Sequence, residues 1–204
     1  MGRDDDMRIA KVALAFAAAA ACAPAAFACD GKADVEAAFV KQQKQPWRTE
    51  IVMKASDGAD QVQRIDFQPP DRMYRKATAR GESVETIGIS KSAWGNQGEG
   101  AGWQDLDPAE ASVVTLHVEE AFVPPRVTAD FKCLGDVTFE GKAYRAYQTT
   151  PEKIASGDMI ARTIYVDPDT GLPAFNVVGA PDGSGEPLVK STFSYPTDIR
   201  IEKP

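Results

Sequence analysis

The stretch Trp47-Arg48-Thr49-Glu50-Ile51-Val52-Met53-Lys54 decides the fold. Trp47, Thr49, Ile51 and Met53 fall on one face, and Arg48, Glu50, Val52 and Lys54 on the other. Successive side chains of an extended strand point to opposite sides, so this alternation describes a strand with one side toward a core and the other toward water. Immediately upstream the period is different. Within residues 34–43, Val35, Ala38 and Phe39 recur at helical spacing, and Pro46 closes that segment. The chain therefore opens with a short amphipathic helix and switches to strand at Trp47.

Downstream the period of two repeats. Ile65 and Phe67 share a face in residues 61–67, residues 72–79 follow Pro69-Pro70, and Ile87 and Ile89 share a face in residues 83–90. Further strands are expected at 134–139, 143–149, 162–166, 174–178, 188–195 and 198–201. The intervening turns are short and rich in glycine, proline and aspartate, as in Arg80-Gly81-Glu82, Glu140-Gly141 and Asp167-Pro168-Asp169-Thr170-Gly171. Connections of that length join antiparallel neighbours, whereas parallel strands need long crossovers. The expected architecture is mainly β, in the α+β class: one curved antiparallel sheet. One helix interrupts the meander. Asp107 caps it, Pro108 occupies its first position, and Pro124-Pro125 stops it. Val113, Val114, His117, Val118, Ala121 and Phe122 are expected on its apolar face, which should lie across the concave side of the sheet.

Composition narrows the function. The chain has 204 residues and a net charge of −7, from 23 basic and 30 acidic side chains. Hydrophobic residues make up 43% and charged residues 26%, values that suit a folded domain rather than a disordered one. An acidic chain without a Lys/Arg block lacks the cationic contacts on which nucleic-acid affinity rests. The single histidine, His117, rules out a multi-histidine metal site, and any Ser-His-Asp or Cys-His mechanism would have to pass through it.

The N-terminus has the three parts of an export leader: a basic start at Met7-Arg8-Ile9-Ala10-Lys11, an alanine-rich apolar run over residues 12–22, and Ala26-Phe27-Ala28 before Cys29. The run is too short and too weakly apolar for a membrane span, which needs about 20 apolar residues. Residues 1–28 are thus read as a secretory leader and 29–204 as one domain. Cys29 then has two readings. It pairs with Cys133, the other cysteine of the mature chain, or it is lipidated and tethers the protein to a membrane. Ala26 and Phe27 depart from the usual lipidation pattern, and an even cysteine count in an exported protein favours the disulfide.

In their order and spacing these features resemble the LolA-like, lipoprotein-sorting carrier superfamily. The resemblance runs through the first helix, Pro46-Trp47-Arg48, Phe67-Gln68-Pro69-Pro70-Asp71-Arg72, and Glu85-Thr86-Ile87-Gly88-Ile89. It continues through Trp94 and Trp103 around a glycine-rich loop, Tyr165–Pro173, and a closing strand with Phe193, Tyr195 and Ile199. It implies an unclosed β-barrel whose mouth is covered by one or two helices, enclosing an apolar cavity. It also implies a periplasmic, monomeric carrier or chaperone that holds a lipid or the acyl chains of a lipid-modified protein without covalent chemistry. Membrane-associated donor and acceptor proteins would follow, and no cofactor. The alternative use of the same fold is an envelope sensor or assembly module that binds a protein partner.

Trp47, Ile51, Met53, Ile65, Phe67, Met73, Trp94, Trp103, Phe122, Ile164, Val166, Phe175 and Phe193 are the candidate cavity residues. The same set would also compose an ordinary dry core, since cavities of this kind are apolar with few polar groups. Arg48 and His117 are candidate polar contacts at the mouth. The Asp167–Gly171 run carries carboxylates two apart, but Leu172 and Val178 stand where an EF-hand loop needs glycine and glutamate, so a hairpin turn is expected and no metal site. No nucleophile and base can be assembled into a catalytic set, and the protein is not expected to be an enzyme.

Overall fold

The structure, a computed structural model, describes residues 29–55, 58–98 and 100–204. The leader expected at residues 1–28 lies outside the described residues.

Helix α1 (Gly31–Gln42) starts one turn earlier than its apolar spacing indicates, because the Asp30 carboxylate caps it by accepting the Ala33 N–H at 3.1 Å. Six strands follow: β1 (Trp47–Lys54), β2 (Asp60–Gln68), β3 (Arg72–Ala79), β4 (Glu82–Ile89), β5 (Ser92–Asn96) and the short β6 (Gln104–Asp105). After α2 (Pro108–Phe122) come β7 (Phe131–Phe139), β8 (Lys142–Thr149), the short β9 (Glu152–Lys153), β10 (Met159–Val166), β11 (Pro173–Gly179) and β12 (Val189–Ser194). All pairings are antiparallel, in the order β6-β5-β4-β3-β2-β1-β12-β11-β10-β8-β7, with β9 alongside β10. Two local meanders thus meet where β1 pairs with β12, in a register that sets Ile51 opposite Ser191. The expected strand at 198–201 does not form. Those residues pair with no strand; Ile199 and Ile201 instead pack their side chains on Ile87 and Trp94, and the Ile201 N–H donates to Gln68 Oε1 at 2.7 Å.

The two faces of the sheet are covered differently. Trp47, Phe67, Met73, Gly88 and Ala93 are successive cross-strand partners and share the face on which α2 lies. Gly88 is what admits the helix, since a Cβ there would come within 2.6 Å of Val118. Farther along the same face, Val35 and Ala38 of α1 pack on Tyr147, Ile164 and Val166. On the other face the C-terminal residues cover β4 and β5. The apolar side of α2 is narrower than its sequence suggests. Val114 and Val118 are buried and Phe122 half-buried, but Val113 and His117 point to solvent, Val113 being 56% exposed. A helix resting on one strand pair buries only the stripe that meets Gly88 and Ala93.

The β7–β12 half curls strongly. Phe139 of β7 stacks on Tyr165 of β10 with ring centroids 4.3 Å apart, and it meets Phe175 of β11 edge-on at 5.0 Å. Glu140, just after β7, forms an ion pair with Lys190 of β12. In a flat sheet those two strands, four positions apart, would be separated by about 19 Å. The face away from the helices is therefore the concave, inner face of this half. A shift in register between Cys133 and Gly135 lets β7 turn inward: Cys133 still faces α1, whereas Val137 and Phe139 face the inside.

A disulfide joins Cys29 to Cys133, with Cα atoms 6.4 Å apart. This geometry favours the disulfide reading of Cys29, since a sulfur held in this bond cannot also carry a lipid. It also draws the start of α1 onto β7. A Cβ on Gly31 would fall within the van der Waals shell of the Phe131 carbonyl oxygen, which is backbone and cannot swing away. Gly31→Ala should accordingly cost about 2 kcal/mol by overpacking, read as a lowered denaturation midpoint with an unchanged slope.

Candidate ligand cavity

The curl leaves a cavity of about 510 Å³ at one end of the inner face, in the range of small-molecule sites. Val137 and Phe139 of β7, Ala161 and Tyr165 of β10, and Val177 of β11 form its apolar walls; Val52 of β1 and Leu134 of β7 extend them. The loop over residues 180–187, between β11 and β12, forms part of its lining. Two contacts position that loop. Gln148 Nε2 donates to the Pro181 carbonyl at 2.8 Å and to Thr163 Oγ1 at 3.1 Å, and the Leu188 N–H donates to the Val178 carbonyl at 2.9 Å.

The wall also carries the hydroxyl of Tyr165. Tyr165 is only 8% exposed, and its hydroxyl makes no hydrogen bond among the described residues. Burial pushes its pKa up, so it stays a neutral donor and acceptor. The hydroxyl is not sealed from solvent: the buried side-chain atoms without a partner among the described residues are Thr86 Oγ1, Asn96 Oδ1 and Asn176 Oδ1.

The residues singled out from the sequence are split among several places. Met53 borders the cavity between Val52 and Lys54, although it alternates onto the helix-bearing face with Ile51. Phe175 belongs to the aromatic inner wall with Tyr144 and Tyr165, at centroid separations of 5.5 and 6.3 Å. Trp47, Phe67 and Phe122 form a packed trio under α2, the first two stacked at 4.5 Å, and Met73 and Ile65 pack against Val114 and Val118 beside it. Trp94 and Trp103 belong to the cluster closed by Ile199 and Ile201, while Ile164 and Val166 lie under α1. Ile51 and Phe193 are half-buried on the helix-bearing face at the centre of the sheet, with Phe193 edge-on to Phe39 of α1 at 6.1 Å. Asn176 on that face keeps a buried side-chain oxygen without a partner.

Neither proposed mouth contact reaches the cavity. His117 is exposed on α2. Arg48 and Arg64 grip Asp66 from two sides, Arg48 through Nε at 2.6 Å and Nη2 at 3.0 Å, Arg64 through Nη2 at 2.7 Å and Nε at 3.3 Å. Asp66 is 6% exposed, and although burial pulls its pKa up, these bonds together hold it below the usual range. The Asp167–Gly171 run is a turn: Asp167 Oδ1 accepts the N–H groups of Asp169 and Thr170, and Gly171 supplies the left-handed residue at φ 63°.

The cavity residues missed by the sequence reading, Val137, Phe139, Ala161, Tyr165 and Val177, did leave a signal. In β10, Ala161, Thr163, Ile164, Tyr165 and Val166 are all buried, and a strand apolar on both sides must have a core on each.

No protein-family model matches this chain, and no curated protein does. Solved structures similar to it include MucB from Pseudomonas aeruginosa in complex with MucA, at 13% identity and a TM-score of 0.44, covering 83% of this chain and 59% of that one. A crystal structure of MucB gives 12% identity and a TM-score of 0.45, over 85% of this chain and 61% of that one. A DUF1329 family protein from Desulfovibrio piger gives 10% and 0.31, over 84% and 95%. The chain thus spans about three fifths of the MucB chains it matches. These likenesses are distant.

Proposed function

We propose that the protein is a carrier that holds an apolar chain non-covalently in the cavity of the β7–β12 half. The observation that supports it is a cavity of about 510 Å³ with aromatic and aliphatic walls. Each methylene moved from water into such a site contributes about 0.8 kcal/mol. The ligand would be a lipid or the acyl chain of a lipid-modified protein, taken up and released in the periplasm as the loop over residues 180–187 moves aside. No step of this needs a nucleophile. No described helix is long and apolar enough to cross a membrane.

Val177→Trp tests the assignment by filling the cavity from a half-buried wall position. Titrated with the neutral fluorophore 1-aminoanthracene, the variant should bind at least about tenfold more weakly than wild type, the loss of roughly 1.4 kcal/mol. Ile51→Lys, on the helix-bearing face, should bind as wild type does. The reverse pattern would move the site to the strip at Ile51, Phe193 and Asn176. A second reading, a module that binds a protein partner, is supported by Val113, Leu116 and Val123 at 56%, 51% and 51% exposure on or just beyond α2. A wild-type protein that takes up no apolar probe would favour it.

A further inference from the structure

The opening of the cavity carries charge of a definite kind. Four carboxylates stand around it, those of Asp60, Glu140, Asp182 and Glu186, against two ammonium groups, those of Lys54 and Lys190. Both lysines are already engaged. Lys54 Nζ lies 2.7 Å from Asp60 and 3.5 Å from Glu186, and Lys190 is paired with Glu140 while its ammonium sits 6.0 Å from the Phe175 ring centroid. An anionic head at the opening would have to take a lysine from its partner and leave a carboxylate unpaired. Like charges brought together at this exposed rim disfavour an anionic head, an effect that salt screens. The polar groups farther in, Tyr165, Thr163 and Gln148, are neutral, and the Tyr165 hydroxyl can donate or accept.

We infer that the ligand class of this cavity is a chain-bearing amphiphile with a cationic or uncharged head, and that fatty acids and acidic lipids are discriminated against. This rests on the carrier reading above and goes beyond it by naming the head. An ammonium would be drawn to Asp182 and Glu186, and an amide or hydroxyl head would satisfy Tyr165.

The test is calorimetric titration of the full mature protein with three probes of one chain length, each below its micelle concentration: dodecyltrimethylammonium, dodecyl maltoside and dodecanoate. At low ionic strength the cationic probe should bind about tenfold more tightly than dodecanoate, with dodecyl maltoside also ahead of it. The gap should narrow in about 0.5 M salt, where screening shortens to a few ångströms. Asp182→Lys combined with Glu186→Lys, both exposed loop positions, should reverse the order. Glu119→Lys with Glu120→Lys changes the net charge equally on the exposed side of α2 and should leave it unchanged. Dodecanoate binding as tightly as the cationic probe overturns the inference and leaves the carrier reading standing. A surface pair that shifts the order as far as the rim pair also overturns it, since the preference would then belong to net charge. Binding of none of the three probes overturns the carrier reading itself.

Discussion

Replacing both Cys29 and Cys133 with serine lowers stability by about 4 kcal/mol, and the melting temperature by roughly 10 °C. The bridge spans a sequence separation of 104 residues, so its loss frees a long loop in the unfolded chain. It also holds α1 where it is needed. α1 buries little, chiefly Val35 and Ala38 with part of Phe39, and a helix of that length is not stable alone. Without the bridge its N-terminal turn keeps the Asp30 cap, the close seat of Gly31 on Phe131 and the bond that the Tyr147 hydroxyl donates to Asp34 Oδ2 at 3.3 Å. Calorimetry of the wild type with and without reductant, beside the double variant, checks this. A loss below about 1 kcal/mol would show that α1 is held by packing alone, since the long-loop estimate would then fail severalfold.

Asp66→Ala should cost about 3 kcal/mol, because it leaves two arginines facing each other without the carboxylate that joins them. The site is at the middle of the sheet, with Asp66 opposite both Arg48 and Tyr74 in the register. Arg64 is 44% exposed and recovers part of its hydration, which keeps the cost at the low end for a buried ion pair. The same group sets an acid limit. Its pKa is lowered in the folded protein, so its contribution is complete above the unfolded value of about 3.9 and is lost as pH falls through the folded one. Asp167 acts in the same direction, held at about 2 first by the Lys142 ammonium, 2.5 Å away, and then by the Thr170 N–H. Stability should be flat above about pH 5 and fall between about pH 4 and pH 2. In Asp66→Ala that fall should be shallower. An equally steep fall in the variant would assign the acid limit to other carboxylates.

Much of this fold could be read along the chain, because its strands are local hairpins with turn residues that only hairpins use. Trp47–Lys54 alternates because one side meets Phe67 and Phe122 and the other meets water or Asp66. The caps at Asp30 and Asp107 explain both helix starts. What could not be read is which face of a strand turns inward. Phe175 and Ile164 are near neighbours on adjacent strands, yet one faces the inner wall and the other α1, and only the direction of curl separates them. That direction depends on the irregular step at Leu134 in β7, whose one residue-level sign is Gly135, a glycine inside the strand at φ 78°. The cavity was missed for the same reason. Its lining comes from β1, β2, β7, β8, β10, β11 and β12, with the loop over residues 180–187, and these are brought together by curvature rather than by any motif.

The meeting of β1 with β12 has a consequence for how the chain reaches this state. Every other pairing of the long strands is between elements close in sequence, but Arg48 must find Ser194 across nearly the whole domain. The β1–β6 and β7–β11 meanders can each form early from short loops, whereas their union waits for the last strand to be made available. Contacts of such separation slow folding, because the loop entropy is lost before the contact returns anything. Until β12 arrives, β1 and β11 each present an unpaired edge, the kind of surface on which extended chains associate. The final segment, β12 with the Ile199 and Ile201 cover, is thus both the seam and the last arrival. A ribosome or translocase that delivers this chain from its N-terminus supplies two sticky half-sheets first and the strand that joins them at the end.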